Sequence, residues 1–208
     1  MNKKFLNMRN KITVIIIFLL FATFSYSQTK FGATLGLNTS RFTDGFKTVN
    51  GSYFNFSSTG LSIGAFAELD ISEKIKFYPK IIYNQIGDRE KDFGNVEERG
   101  LDISTIDYKL DYLSIPLNFR FFSKPYLIVG PQIGFLISEK AESLNLGDIK
   151  TSVDIGGNFG VGYPIQDFRI ELTFYQGFST LLEIEREFND DIETRNTYVN
   201  FSVGYIIK

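Results

Sequence analysis

Cysteine, histidine and tryptophan are all absent from the 208 residues. Without cysteine there is no disulfide framework, no thiol nucleophile and no thiolate metal site. Without histidine there is no Ser-His-Asp triad, no imidazole acid–base pair and no histidine-ligated zinc or haem. A strong excess of charge is missing too. Lysine and arginine (22) nearly balance aspartate and glutamate (24), for a formal charge of −2, which argues against a nucleic-acid surface. Beyond the N-terminus no segment carries the 18 or so apolar residues of a membrane-spanning helix. What the chain does have is 22 phenylalanines, 11 tyrosines and 18 glycines. Phe and Tyr favour strands, and glycine at every second position suits a crowded sheet face.

Residues 1–27 have the layout of a secretory signal peptide. Lys3, Lys4, Arg9 and Lys11 precede the apolar stretch Ile12–Phe24. Ser25-Tyr26-Ser27 then offers small residues around a cut after Ser27. The apolar stretch is short for an N-terminal membrane anchor, the competing reading. No cysteine near the cut could carry a lipid. Removal of four basic residues leaves a more acidic mature chain, and residues 28–208 are of a size for one domain.

That remainder alternates with period two, the signature of strands. Leu61, Ile63, Ala65, Ala67 and Leu69 alternate with Ser62, Gly64, Phe66 and Glu68. Leu127, Val129, Ile133, Phe135 and Ile137 alternate with Gly130, Gln132 and Gly134. Similar patterns occur in Phe31–Asn38, Leu113–Arg120, Val153–Tyr163, Phe168–Tyr175 and Tyr198–Ile207. Ile75–Gly87 is irregular, because Ile82 and Ile86 share a face with Lys80 and Asn84. Eight strands are predicted, each of about 10 residues, which matches the hydrocarbon thickness at the usual tilt. The tight turns are 71–74, 122–125 and 164–167. The long polar connections are 40–59, 88–106, 139–152 and 178–195. Short and long connections alternate, so all long loops fall at one end of an up-and-down sheet.

A soluble lipocalin-type barrel would alternate equally, with its apolar face inward. Three features favour the reverse. Glycines 32, 36, 64, 130, 134, 156, 160, 162 and 204 crowd the polar face, as a narrow eight-strand lumen requires. Glu68, Lys80, Arg120, Asp154, Arg169 and Glu171 share that face and can pair as a structural charge cluster inside it. Aromatics flank every tight turn, and Phe77, Phe121, Tyr126, Tyr163, Phe168 and Tyr205 are expected to form an interfacial girdle. The lipid-facing set is then Leu61, Ile63, Leu113, Ile115, Leu127, Val129, Ile133, Phe135, Ile170, Leu172, Val199 and Phe201. The fold class is an all-β, eight-stranded antiparallel up-and-down transmembrane barrel. Closure is needed because lipid cannot satisfy a free strand edge.

Other motifs read more simply as parts of the barrel. Asp154–Gly160 is glycine-rich but lacks the Lys-Ser/Thr finish of a phosphate loop and leads to no helix. The acids Glu183, Glu185, Glu187, Asp190, Asp191 and Glu193 supply oxygen ligands for Ca²⁺ without EF-hand spacing, and a solvated loop is the plainer reading. Tyr53, Phe54 and Phe56 suit a binding loop or the membrane interface. The lumen charges invite a proton or ion path as the alternative to structural pairing. No catalytic, cofactor or metal residues are assigned.

Phe31–Asn38, Gly64–Leu69 running through Ser72-Glu73-Lys74 to Tyr78-Pro79-Lys80, Asp111–Leu117 and Val129–Gly134 together resemble the PorT-like outer-membrane β-barrel family of Bacteroidota. The resemblance implies an eight-stranded barrel in a Gram-negative outer membrane, no shared active site, and an association with protein secretion and gliding. Outer-membrane barrels commonly end in an aromatic residue, whereas this chain ends Tyr205-Ile206-Ile207-Lys208. The expected protein is a non-enzymatic barrel. Its partners are outer-membrane lipid and an envelope protein or surface polysaccharide met by loops 40–59, 88–106, 139–152 and 178–195. A soluble periplasmic lipid-binding barrel and a histidine-free membrane enzyme are the competing classes.

Overall fold

The computed structural model describes residues 29–43, 58–90, 106–141, 149–184 and 192–207. The expected signal peptide, and most of the loop residues, lie outside these. No helix occurs among the described residues. The strands are β1 (Lys30–Thr43), β2 (Ser58–Asp70), β3 (Ile75–Glu90), β4 (Ile106–Phe121), β5 (Tyr126–Ala141), β6 (Val153–Ile165), β7 (Phe168–Gly177), β8 (Leu182–Ile184) and β9 (Ile192–Ile207). Each pairs antiparallel with its neighbour from β1 to β7, and β7 then pairs with β9. The sheet closes where β9 returns to β1, from Phe31↔Ile207 to Thr43↔Arg195. Eight strands form the barrel. The ninth, β8, is a three-residue flap on β9, outward of the last β7–β9 pair, Gln176↔Thr197.

The tight turns occupy 71–74, 122–125 and 166–167. The third is shorter than the sequence suggests, since Pro164 and Ile165 still pair with Arg169 and Phe168. Gln166 takes φ 53°, the left-handed conformation that a two-residue hairpin turn demands of its first residue.

The strands outrun the expected 10 residues. β3, β4, β5 and β9 each have 16. At about 3.3 Å per residue that is roughly 53 Å of strand. Even at the usual tilt it exceeds an apolar band of about 25 Å. The surplus lies at the loop end, where residues 40–43, 58–59, 88–90, 106, 139–141 and 192–195, expected in loops, are strand. Polar side chains do not stop a strand that has a partner on each side, so the ladder continues past the apolar alternation. A bulge between Asp111 and Tyr112 resets the β4–β5 register at that transition.

The faces are sorted unequivocally. Odd-numbered apolar residues point outward on every barrel strand but β7: Leu35, Ile63, Ile81, Val129, Ile155 and Phe201 are all exposed, and on β7, where the parity is reversed by the two-residue turn, so is Leu172. Even-numbered partners such as Ser62, Glu68, Asn84, Ser114, Gln132 and Ser202 are buried. This is opposite to a lipocalin-type barrel. The irregular strand Ile75–Gly87 conforms, because Ile82 and Ile86 sit inside with Lys80 and Asn84.

Glycine sets how closely the strands crowd. A Cβ on Gly64 would lie 2.1 Å from the Ile81 carbonyl oxygen of β3, and backbone cannot step aside without parting two strands. Gly64→Ala is expected to cost about 1–3 kcal/mol. A Cβ on Gly157 meets only the Phe178 ring at 3.6 Å, an ordinary contact. Gly157→Ala is expected to stay within about 0.5 kcal/mol. Paired urea unfolding curves in lipid vesicles would check both, and equal losses would refute the crowding argument.

Candidate functional site

Inward-facing side chains fill the lumen at three heights. At the turn end, Glu68 on β2 accepts hydrogen bonds from Arg120 on β4 and from Arg169 on β7, the latter by Nε at 2.7 Å and Nη2 at 3.4 Å. Lys80 on β3 pairs with Glu171 on β7, and the Tyr126 hydroxyl donates to Glu171 Oε1 at 2.8 Å. The Arg120 guanidinium lies 3.5 Å from the Tyr126 ring centroid and 5.0 Å from that of Tyr78. Lys80 Nζ sits 4.7 Å over the other side of the cluster, on the Tyr78 ring. Each ion is therefore desolvated but held by an opposite charge, a ring face, or both. Arg169 also donates to the Gln166 and Phe168 carbonyls, tying the cluster to the last tight turn.

The middle height is a belt of amides. Asn200 donates to Asn38 Oδ1 at 2.7 Å, and Asn38 to Asn84 Oδ1 at 3.2 Å. Gln132 donates to the Tyr198 hydroxyl at 2.8 Å, and Asn158 to Gln132 Oε1 at 3.3 Å. These residues come from β1, β3, β5, β6 and β9, so the belt crosses the axis rather than lining it.

At the loop end Asp154 on β6 accepts from Asn196 Nδ2 at 2.9 Å, and the same amide donates to the Tyr112 hydroxyl at 3.2 Å. Tyr175 stacks on Tyr198 with centroids 4.8 Å apart. Leu110, Ile86, Tyr108 and Leu181 close over them as an apolar plug.

The six charges read as one cluster are thus two sites. Glu68, Lys80, Arg120, Arg169 and Glu171 come together, but Asp154 does not join them. Along β6, Asp154 is eight residues from Gly162, which pairs with Glu171, or roughly 26 Å of strand. Parity along a strand reports the face and not the height. Tyr126 is likewise corrected. It is fully buried in the lumen, not at the interface, because its even number puts it inside, where Gly162 leaves room for its ring. Of the remaining girdle residues, Tyr163, Phe168 and Tyr205 are exposed outside, with Phe168 and Tyr205 paired at 5.1 Å. Phe77 and Phe121 are half-buried on that surface, and Phe77 packs on Phe119 at 5.2 Å. Of the outward apolar set, Leu61, Ile63, Leu113, Leu127, Val129, Phe135, Leu172 and Phe201 are exposed, while Ile115, Ile133, Ile170 and Val199 are half-buried between neighbours. The glycine-rich Asp154–Gly160 is β6 itself, not a phosphate loop. Tyr53, Phe54, Phe56 and the acids from Glu185 to Asp191 lie outside the described residues. Glu193 accepts from Thr180 and Arg195.

The amide belt was not read from the sequence as a unit. Its signal was present in the inward positions Asn38, Asn84, Gln132, Asn158 and Asn200, each a side chain with both donor and acceptor.

Outside, the wall above the apolar band is polar. Thr59, Gly60, Gln85, Lys109, Asp111 and Lys140 line a shallow cavity of about 250 Å³ there. A closed sheet, greasy outside and polar within, is what a bilayer demands of a strand protein. A model of the outer membrane protein beta-barrel domain matches residues 23–183. The chain belongs to that family. The outer-membrane barrel is similar in structure to Neisserial surface protein A (NspA), at 14% identity and a TM-score of 0.51, over 85% of this chain and 97% of that one. It also aligns with Ail, the attachment invasion locus protein of Yersinia pestis, solved with the heparin analogue sucrose octasulfate. That match has 15% identity, a TM-score of 0.45, and covers 86% and 99% of the two chains. No curated protein matches the chain. At such identities the likeness is one of fold alone. The family supports an outer-membrane location for this barrel.

Proposed function

We propose that this outer-membrane barrel is non-enzymatic and acts through its outward rim and loops on an envelope protein or a surface polysaccharide. One observation carries the reading: side chains from facing walls meet across the axis at three heights, Lys80 with Glu171, Gln132 with Tyr198 and Asn196 with Tyr112, so the lumen offers a solute no path. What is left for a partner is the outside, where the wall rises above the apolar band and bears Lys109, Asp111 and Lys140. The chain has no histidine and no recognisable nucleophile–base pair. The order of basic, apolar and small residues in 1–27 supports export by a Sec-type signal peptide. A link to protein secretion or gliding, and an origin in Bacteroidota, rest only on the resemblance to PorT-like barrels.

Affinity capture from detergent-extracted envelopes, with the connections 44–57, 91–105, 142–152 and 178–191 deleted one at a time, tests the main reading. At least one deletion is expected to lose a partner. The same partners in every deletion would overturn loop-mediated binding. In planar bilayers the reconstituted barrel is expected to give no stepwise conductance. Regular open-channel steps would mean that the lumen layers part.

A further inference from the structure

Two interruptions of the sheet fall at one height in the outward part of the wall. On one side the β2–β3 ladder stops at Ser62↔Asn84, although β2 stays paired with β1 as far as Ser40↔Ser58. The β3 backbone beyond that point turns to β1 side chains. Ser40 Oγ donates to the Gly87 carbonyl at 2.9 Å and accepts from the Gly87 N–H at 2.8 Å. On the other side is the β4–β5 bulge, where Ile137 has no register partner between Tyr112↔Leu136 and Asp111↔Ser138.

The bulge changes which charges meet. Below it Leu113 pairs with Phe135, and both are exposed outside. An unbroken register from that pair would set Lys109 opposite Glu139, a favourable opposite-charge pair. The extra residue instead sets Lys109 opposite Lys140 on the outer face, and moves Glu139 opposite Leu110, whose side chain lies in the apolar plug. Like charges directly opposite are destabilising. The wall thus gives up an attraction for a repulsion at one place, and that place adjoins the cavity of about 250 Å³ that Thr59, Gln85, Lys109, Asp111 and Lys140 line. Two lysines there face one carboxylate.

We infer that the Lys109–Lys140 pair binds the phosphorylated sugar head group of an outer-leaflet glycolipid. A phosphate between the two ammonium groups converts their repulsion into two charge-assisted hydrogen bonds. Thr59, Gln85 and Asp111 offer partners to sugar hydroxyls. Depth selects a lipid over a dissolved anion. Lys109 lies four residues beyond Leu113, roughly 13 Å of tilted strand, which is head-group level. Acyl chains below it would run along the exposed Leu113, Phe135 and Ile137. Basic pockets at this level recognise lipid phosphates. The site lies on the outward wall but does not depend on the loop partner proposed above.

The test is native mass spectrometry of the full barrel in neutral detergent. It is titrated with phosphorylated lipid A, with the same lipid A dephosphorylated, and with inorganic phosphate. Phosphorylated lipid A is expected to bind saturably, and the dephosphorylated form about tenfold more weakly. Lys109→Gln combined with Lys140→Gln is expected to bring the phosphorylated lipid down to that weaker level. Equal affinity of the wild type for the two lipids would overturn the site without any variant. An equal loss in Lys74→Gln combined with Lys124→Gln, at the turn end, would overturn it in favour of general charge attraction. Inorganic phosphate binding as tightly as lipid A would overturn it in favour of a dissolved anion. A loop deletion that loses its captured partner is expected to keep lipid A bound, so the two readings fail separately.

Discussion

Replacing Glu68 with alanine is expected to destabilise the barrel by about 3–5 kcal/mol. Glu68 is 2% exposed and accepts from two guanidiniums, Arg120 and Arg169. With it gone, three cations (Lys80, Arg120, Arg169) share the single carboxylate Glu171 at the turn end of the lumen. The loss is dominated by the stranded charges rather than by the missing attraction. Arg120→Ala in the Glu68→Ala background is therefore expected to recover part of the loss, a coupling a double-mutant cycle would measure. Urea titration in vesicles, followed by tyrosine fluorescence because the chain has no tryptophan, gives the numbers. A Glu68→Ala barrel as stable as the wild type would mean that the cluster is hydrated and the turn end of the lumen open.

Leu172→Arg is expected to cost about 2–4 kcal/mol, and Ile137→Arg about 0–1 kcal/mol. Both side chains point outward and are more than 45% exposed. They differ in depth. Leu172 lies between Val161 and Phe201, two outward-facing apolar neighbours past the Phe168–Tyr205 aromatic pair. Ile137 sits at the outward edge, beside Ser138 and close to the exposed Glu139 and Lys140. A charge at Leu172 would have to be buried in hydrocarbon, whereas at Ile137 it can reach headgroups or water. Equal and small effects at the two positions would indicate that the outward face meets water.

Which face each residue takes was legible in the sequence. Ile82 and Ile86 looked out of place beside Lys80 and Asn84, yet parity put all four inside. The glycines of the polar face pointed to a crowded interior, and Gly64 against the Ile81 carbonyl is that crowding. Strand length was less legible. Alternation marked the apolar band, and the ladder ran on through Ser40–Thr43 and Ile106–Tyr112, where the pattern is weak but neighbours still offer hydrogen bonds. Tyr126 misled because aromatics beside a turn suit either side of the wall. Its parity with Ile128 and Gln132 already placed it inside, and its 2.8 Å bond to Glu171 is the contact it makes there.

The sequence by itself determined the sheet, its outward and inward faces, the alternation of short and long connections, and hence a closed barrel that is apolar outside. These follow from the two-residue pleat, which every strand carries locally. The tertiary structure alone decided which inward residues share a height. Glu68 reaches Arg169, 101 positions away, while Asp154 is left among Tyr175 and Asn196 without a cation. Height depends on the stagger between neighbouring strands, accumulated around the barrel until β9 meets β1. That sum is set by the closure of the whole sheet, and no stretch of one strand contains it.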